Sequence, residues 1–433
     1  MANTLKFGNG TWATKEGSTL AYNDENENYK PLPFNFERDS IATRVNKEGL
    51  IEVVGNDIPR IDYTDSAEGA LLLENSATNL ITYSEDFSQS AWTKGNSTIT
   101  SDTLISPSGI LNASTLTDNT ANTIHRLRDS VSLSASTDYG LSIFAKKGTL
   151  SNIQLALINT ANSSTASRVF DLENGILGES ITSNGTLQDS KITDYGNGWY
   201  RCEITAQLGS TPNTYQITLA PQSSGNSSTG NQVTYDGDGN GNVHLWGAML
   251  EQNSVASSYI PTSGSTVQRA AETANGSGNS EVFNDSEGVL FADIAALAND
   301  LTYRSISIGT GVGVINLFYS NVSNTIVASS AGGALIIKQL SDITNFNKVI
   351  FKYKQNDFSL WVNGFEIGTD TSGTTGNALT TLSFDNTAGG SKWYGKTKEL
   401  GYYDTVLTDE ELEYMTSYRS LNELVTELNL NTL

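Results

Sequence analysis

The run Trp199-Tyr-Arg-Cys-Glu-Ile-Thr-Ala-Gln-Leu208 decides the fold: Tyr200, Cys202, Ile204, Ala206 and Leu208 alternate with polar neighbours over the whole decapeptide. Period-two alternation puts every second side chain on one face of an extended strand, and a helix cannot do this. The same pattern recurs at Tyr139/Leu141/Ile143/Ala145, Ile153/Leu155/Leu157 and Tyr215/Ile217/Leu219. Such strands have one wet face and belong to antiparallel sheets. Turn-rich stretches at 159–165 and 222–231 separate them, and no ten-residue helical pattern lies between to serve as a crossover. A β-sandwich or jelly roll follows, rather than a parallel α/β sheet.

Composition agrees. The 433 residues include 39 glycines, and only 17% are charged, as expected of many short strands joined by turns. Hydrophobic residues make up 37% and aromatic residues 9%, enough for sheet cores. Lys and Arg number 25 against 47 Asp and Glu, a net charge of −22, which argues against nucleic-acid binding through phosphate neutralisation and against adhesion to anionic lipid. No apolar run approaches the roughly 18 residues of a bilayer span, so no membrane insertion is expected. The start, MANTLKFGNGTW, shows neither the basic nor the apolar segment of a secretory signal. Cys202 is the single cysteine, which excludes an internal disulfide and a cysteine-based zinc site. Its place in an alternating strand makes it a core residue.

Downstream, Lys348–Lys354, Phe358–Val362 and Phe365–Gly368 predict a three-strand meander. Asn363-Gly364 between the last two is a strong hairpin signal, since a type I′ turn needs positive φ at both central positions. The small, polar stretches Thr262–Thr266 and Ala270–Ser280 predict a linker. Helix signals are confined to the C-terminal region. Thr408 and Glu411 form a capping box ahead of Leu412 and Met415. Ser420 and Glu423 repeat that spacing before Leu421, Leu424, Val425 and Leu428, a helix too short to stand alone. Packing on its own domain is the leading expectation, assembly with another chain the alternative. The expected architecture is all-β: a small region 1–75 for attachment or trimerisation, a jelly roll over 76–268, a second antiparallel sandwich over 269–420 and a helical tail over 421–433. Asn9–Trp12 and Asn23–Asn28 fall in that first region, where a docking segment and a disordered arm over residues 1–30 weigh equally.

Three sets of motifs resemble a known family. Phe34–Leu50, Pro59–Tyr63 and Gly69–Glu74 resemble the N-terminal region of structural proteins of tailed bacteriophages, marine ones in particular. Thr78–Phe87, Trp92, Asp194–Arg201, His244–Glu251 and Ser258–Thr262 look like the jelly-roll module of phage tail and receptor-binding proteins, which is itself similar to carbohydrate-binding modules. Phe358–Gly364, Glu399–Asp404 and Leu407–Leu412 resemble the closing strands and helix of laminin-G or concanavalin-A-like sandwiches. The resemblance implies a virion protein assembled in the host cytoplasm and released by lysis, a homotrimer as tail fibres commonly are, with other virion proteins and host surface glycan as partners. A capsid decoration, head fibre or adaptor is the structural alternative.

Candidate sites follow from chemistry. A glycosidase needs two carboxylates about 5–10 Å apart, and enzymes on such sandwiches carry Glu-x-Asp-x-x-Glu or a relative of it. In residues 281–412 the acids Glu287, Asp293, Glu366, Asp370 and Asp385 stand isolated, and Asp409–Glu413 open a helix. A polysaccharide depolymerase is therefore the weaker reading. With two histidines and no Gly-x-Ser-x-Gly, a Ser/His/Asp esterase has little support. Asp236-Gly-Asp-Gly-Asn-Gly-Asn242 begins like an EF-hand loop, but Gly247 occupies position twelve, where a bidentate Glu belongs. A Gly/Asp hairpin is the leading reading, with structural calcium on Asp236, Asp238 and Asn240 the alternative. Sugar binding would use an exposed aromatic face. Trp199, Trp246 and Trp361 lie in strand-like runs and read as core, whereas Trp92, Trp393 and Tyr402 are the candidate carbohydrate-binding residues.

Overall fold

In the computed structural model, which describes residues 5–20, 31–159, 164–209, 213–222, 234–311 and 314–427, regular structure is antiparallel β apart from two short helices. The chain divides into two compact units, the first built from residues 1–41, 54–75 and 270–433, the second from 42–53 and 76–269.

The second unit pairs two six-stranded sheets. One runs in the order Thr93–Gly95, Arg126–Leu133, Asn213–Gln222, Asn152–Asn159, Thr165–Asp171, Ile176–Ser183. The other runs Ser97–Ile105, Leu111–Asp118, Asn242–Glu251, Asp138–Lys147, Trp199–Leu208, Gly185–Asp194. The chain passes repeatedly from one sheet to the other, as in a jelly roll. Leu116, Ile143, Cys202 and Leu245 from one sheet meet Leu127, Leu155, Phe170 and Ile217 from the other in a single core. The alternation expected over 199–208 is present, with Ile143 opposite Cys202 in register. Burial pushes the Cys202 thiol far above its usual range, with Glu203 adding to the effect, so it stays protonated and unreactive.

The outward face of the second sheet is covered too. Ala113, Phe144, Trp199, Trp246 and Met249 pack there with Val45 and Ile51 of the hairpin Ala42–Val45/Ile51–Val54 and with Tyr259 and Ile260. A bulge makes this possible. Register with the strand Asp138–Lys147 slips between Ser142 and Phe144, opposite Met249 and Trp246, and Gly247 takes φ +65. The extra residue reverses side-chain parity along one strand: Leu245, Ala248 and Leu250 enter the inner core while Trp246 and Met249 face out. A β-carbon at 247 would come within 2.9 Å of the Phe144 ring, so both backbone and space demand glycine.

The first unit places an eight-stranded sheet against a five-stranded one. The larger runs Phe365–Asp370, Phe358–Val362, Asn347–Lys354, Glu287–Ala296, Gly395–Tyr403, Ala70–Leu73, Arg60–Asp62. Leu5–Gly8 joins it by pairing with Glu399–Tyr402, beyond the stretch of that strand which pairs with Leu71–Leu73. The smaller runs Leu335–Gln339, Thr325–Ser330, Ile315–Tyr319, Arg304–Ile308, Leu382–Ser383. The meander over 347–370 forms as expected, with Asn363 and Gly364 at φ 50 and 88. Helix α1, Asp409–Thr416, starts with the expected Thr408/Glu411 capping box and lays Leu412 with Met415 on Val289, Phe291, Ile350 and Trp361, the outer face of its own sheet. Helix α2, Leu421–Glu427, follows, with Glu423 ion-paired to Lys348 of that sheet. Leu428 lies outside the described residues.

Two expectations are corrected. Residues 1–75 do not form a region of their own: their strands complete the sheets of the first unit, and 42–53 belong to the second. Phe7, Phe34, Ile61 and Leu71 share one core with residues from 274 to 402 of the first unit. The stretch 262–280 is not a linker either, since Val267–Arg269 pairs with Ala77–Asn79 and Thr273–Asn275 with Asn35–Glu37. Glu272 lies fully buried between Arg38 and Arg60, and Arg60 also binds Glu74. Asn23–Asn28 lie outside the described residues.

Candidate functional site

All three aromatic residues expected to meet sugar are buried. Trp92 is 1% exposed, donates its indole N–H to the Tyr83 carbonyl at 2.8 Å and tilts against Phe87. The polar residues around it say nothing of where its own ring points, and burying an indole with its donor satisfied outweighs any local preference by about 2–3 kcal/mol. Trp393, also 1% exposed, packs on Tyr319. Tyr402 shares a 2.8 Å hydrogen bond with the Tyr353 hydroxyl and accepts the Asn284 N–H, and burial pushes its phenol up to about 12. None of the three presents a face to a ligand. Trp199, Trp246 and Trp361 are core, as expected.

The Asp236–Asn242 stretch is a loop and not the hairpin expected of it, since the strand Asn242–Glu251 pairs with Leu111–Asp118 and Asp138–Lys147 and not with Tyr235–Asp236. Asp236 pairs with Asn122, and an Asp238 carboxylate oxygen accepts the Asn240 and Gly241 amides at 2.8 and 3.0 Å. Those backbone donors, Asn240 first, hold the Asp238 carboxyl below its usual range. The Asn240 carbonyl accepts from Thr149 and from the Asn242 side chain. Among the described residues no group of three His, Cys, Asp or Glu is placed to hold a metal ion.

A different cluster comes together in the second unit. Glu85 accepts the Tyr259 hydroxyl at 2.9 Å and the Asn112 amide at 3.0 Å. Tyr259 is tied in turn to the Ser84 hydroxyl at 2.7 Å. The Trp246 indole N–H has no acceptor at hydrogen-bonding geometry, yet it stands near enough to the Glu85 carboxylate to favour its charged form. The Asn112 side-chain carbonyl is likewise buried without a donor. Burial raises the Glu85 carboxyl above its usual range, opposed by Tyr259 and then Trp246. Burial, and next the Glu85 charge, push the Tyr259 phenol far up, so it serves as a neutral donor and not as a nucleophile.

The scaffold fixes this geometry from both sides. Ser84 and Thr262 exchange hydrogen bonds, the Ser84 amide to the Thr262 hydroxyl at 3.0 Å and the Thr262 amide to the Ser84 hydroxyl at 2.8 Å. Ser257 donates its amide and hydroxyl to Glu251, and its carbonyl accepts from Arg201. The loop carrying Tyr259 is thereby clamped to the sheet. Beside the half-buried Glu85 and Asn112, Ile110 and Leu111 are 61% and 57% exposed. The Asn112 carbonyl and the Trp246 N–H are closed to solvent, so the part of the cluster open to a hydroxylated ligand is the half-buried Glu85 carboxylate, with the exposed Ile110 and Leu111 as an apolar rim.

Sequence reasoning overlooked Glu85, Asn112 and Tyr259 and read Trp246 as core alone. Three of the four lie in the stretches Thr78–Phe87, His244–Glu251 and Ser258–Thr262, so their shared membership of one motif set was the signal available.

Neither a protein-family model nor a curated protein matches the chain. Among solved structures it is similar to the CBM40 module of a Ruminococcus gnavus IT-sialidase bound to α2,3 sialyllactose, with TM-score 0.28 and 16% identity over 33% of this chain and 94% of that one. Domains LG4-5 of the mouse laminin α1 chain give TM-score 0.23 and 10% identity over 65% and 86%. Trypanosoma rangeli sialidase with the inhibitor DANA gives 0.29 and 9% over 93% and 66%. Likenesses this slight carry no argument about ligand or activity, and the fold stands on its own sheets and registers.

Proposed function

We propose that this chain is a non-catalytic virion protein of a tailed phage, a tail fibre, spike or tail-associated protein that binds host surface glycan during attachment. The observation that carries the glycan part is the half-buried Glu85 carboxylate, held in place by Tyr259 and Asn112, whose chain neighbours Ile110 and Leu111 are exposed. A sugar hydroxyl would pair with the Glu85 carboxylate and a pyranose face would lie on the aliphatic rim. The phage part is supported by the motif resemblance, and the non-catalytic part by the absence of the paired-acid run from the sequence of 281–412. Single sugar sites bind weakly, and repeated copies on one particle raise avidity without new contacts.

Binding to a glycan array and to host cells, with free polysaccharide followed in parallel for new reducing ends, tests this reading. Saturable binding that Asn112→Ala and Glu85→Ala abolish, without chain cleavage, is the expected result; cleavage would overturn the non-catalytic part. The burial of Trp92, Trp393 and Tyr402 favours a second reading, a decoration or adaptor protein whose sandwiches only space and brace the particle. No binding at multivalent presentation is its signature.

A further inference from the structure

In the second unit, one end of the outward face of the sheet that carries Trp246 gathers basic side chains. Val243, Leu245, Ala145 and Leu116 enter the inner core, so His244, Lys146 and Thr115, which alternate with them, point outward. Register sets His244 between the other two, opposite Thr115 on one side and Lys146 on the other. All three are half-buried. Among the described residues no carboxylate pairs with His244 or Lys146; the Lys146 ammonium donates to the Asn197 carbonyl. The acids of the flanking segments are Asp102, Asp194 and Asp238. Asp194 and Asp238 accept backbone amides of their own turns, and Asp102 is exposed in the bulge of Ser97–Ile105. In a chain with 47 Asp and Glu against 25 Lys and Arg, two neighbouring basic groups that share no acid are a local reversal of charge.

A relay of hydrogen bonds fixes which His244 nitrogen is open. The Thr103 hydroxyl donates to the Ala113 carbonyl at 3.2 Å, and a carbonyl can only accept. Thr103 therefore accepts the Thr115 hydroxyl at 2.7 Å, and Thr115 accepts Nδ1–H of His244 at 2.9 Å. Nε2 is left facing solvent. In the neutral ring it is a lone pair that repels an anion; one proton turns it into a charged donor beside the Lys146 ammonium. We propose that His244 and Lys146 form a binding site for an oxyanion, the carboxylate of an acidic sugar, and that uptake of a proton by His244 switches it on. Two adjacent charged donors suit a carboxylate, whereas a neutral hydroxyl gains little from them. A free small anion is repelled by the net charge of −22, but one borne on a sugar chain adds the contacts assigned above to Glu85; that source of the anion, unlike the site, rests on the glycan reading. Burial, and next Lys146, hold the imidazole below its usual range, so the switch lies on the acid side of neutrality.

NMR titration of the full chain tests the proposal, because the sequence has two histidines and the buried His125 serves as the reference. At constant ionic strength, replacing chloride by glucuronate should raise the His244 midpoint by about half a pH unit or more, since the anion binds the protonated ring, and adding glucose should not move it. Lys146→Gln should raise the midpoint in chloride by removing a like charge, and abolish the further rise in glucuronate. Lys146→Met serves as a second variant if circular dichroism shows Lys146→Gln to be misfolded. Thr115→Val frees the neutral ring to carry its proton on Nε2 and should flatten the pH dependence of glucuronate binding. Equal midpoints in chloride and glucuronate, or a rise that survives the loss of Lys146, would overturn the site. A rise with sulfate but none with glucuronate would overturn the acidic-sugar assignment. Because the readout is a histidine resonance and not adhesion, a silent glycan array beside a glucuronate-dependent rise would sink the glycan reading and leave the oxyanion site in place.

Discussion

At the scale of single residues, the buried charges and aromatics yield the sharpest predictions. Burial works against a charge on Arg60, but Glu272 and Glu74 more than reverse it and hold the guanidinium charged. Glu272→Ala leaves Arg38 and Arg60 sharing too few carboxylates in a dry site, and a loss of about 3–5 kcal/mol is expected in the denaturant transition of the first unit. Trp393→Ala should cost a similar amount, about 3–5 kcal/mol, because it empties a packed core site, and should leave any glycan affinity of the folded fraction untouched. Glu85 provides the pH test. Its folded pKa is raised by burial, so the stability it contributes is complete below its unfolded value, about 4.3, and is lost as pH rises through the folded value. The unfolding free energy of wild type relative to Glu85→Gln should therefore fall between about pH 4 and neutrality. A flat difference would place the carboxyl in open solvent.

At the scale of elements, the sequence was informative wherever a local rule decides structure. The alternation at 199–208, the Asn363-Gly364 turn and the Thr408 capping box each depend on a few adjacent residues, and each is present. The bulge at Gly247 was not legible, because a glycine in a strand run marks a bulge, a bend or nothing. It nonetheless decides which face Trp246 occupies, and hence whether the Glu85 cluster exists. Gly247→Ala should cost at least about 1–2 kcal/mol from the left-handed backbone alone. It should also abolish binding to any glycan the wild type binds, read on the array with thermal melting as the control for folding. Trp92, Trp393 and Tyr402 were misread for a related reason: period-two patterns assign faces, but whether a face is covered depends on chain far away in sequence.

At the scale of the whole molecule, the sequence suggested consecutive domains and the structure has interleaved ones. Strand Leu5–Gly8 pairs with residues 399–402, and strand Phe34–Glu37 with 273–275, separations at which no local pattern survives. A fragment 269–420, the natural choice from sequence, lacks three of the eight strands of the larger sheet, namely Leu5–Gly8, Arg60–Asp62 and Ala70–Leu73. It is expected to be unfolded by circular dichroism and proteolysis, whereas the full chain gives a protease-resistant first unit.

That pairing of Leu5–Gly8 with Glu399–Tyr402 also sets a timetable on the ribosome. Synthesis of roughly 400 residues, at about 5–20 residues per second, separates the two partners by roughly 20–80 seconds. Through that interval Phe7, Phe34 and Leu71, all core residues when folded, wait without their partner sheet, while the residues 76–269 emerge and are free to close on themselves. Chaperone engagement of the nascent chain should thus concentrate on its first 75 residues and end abruptly once residue 403 has cleared the exit tunnel.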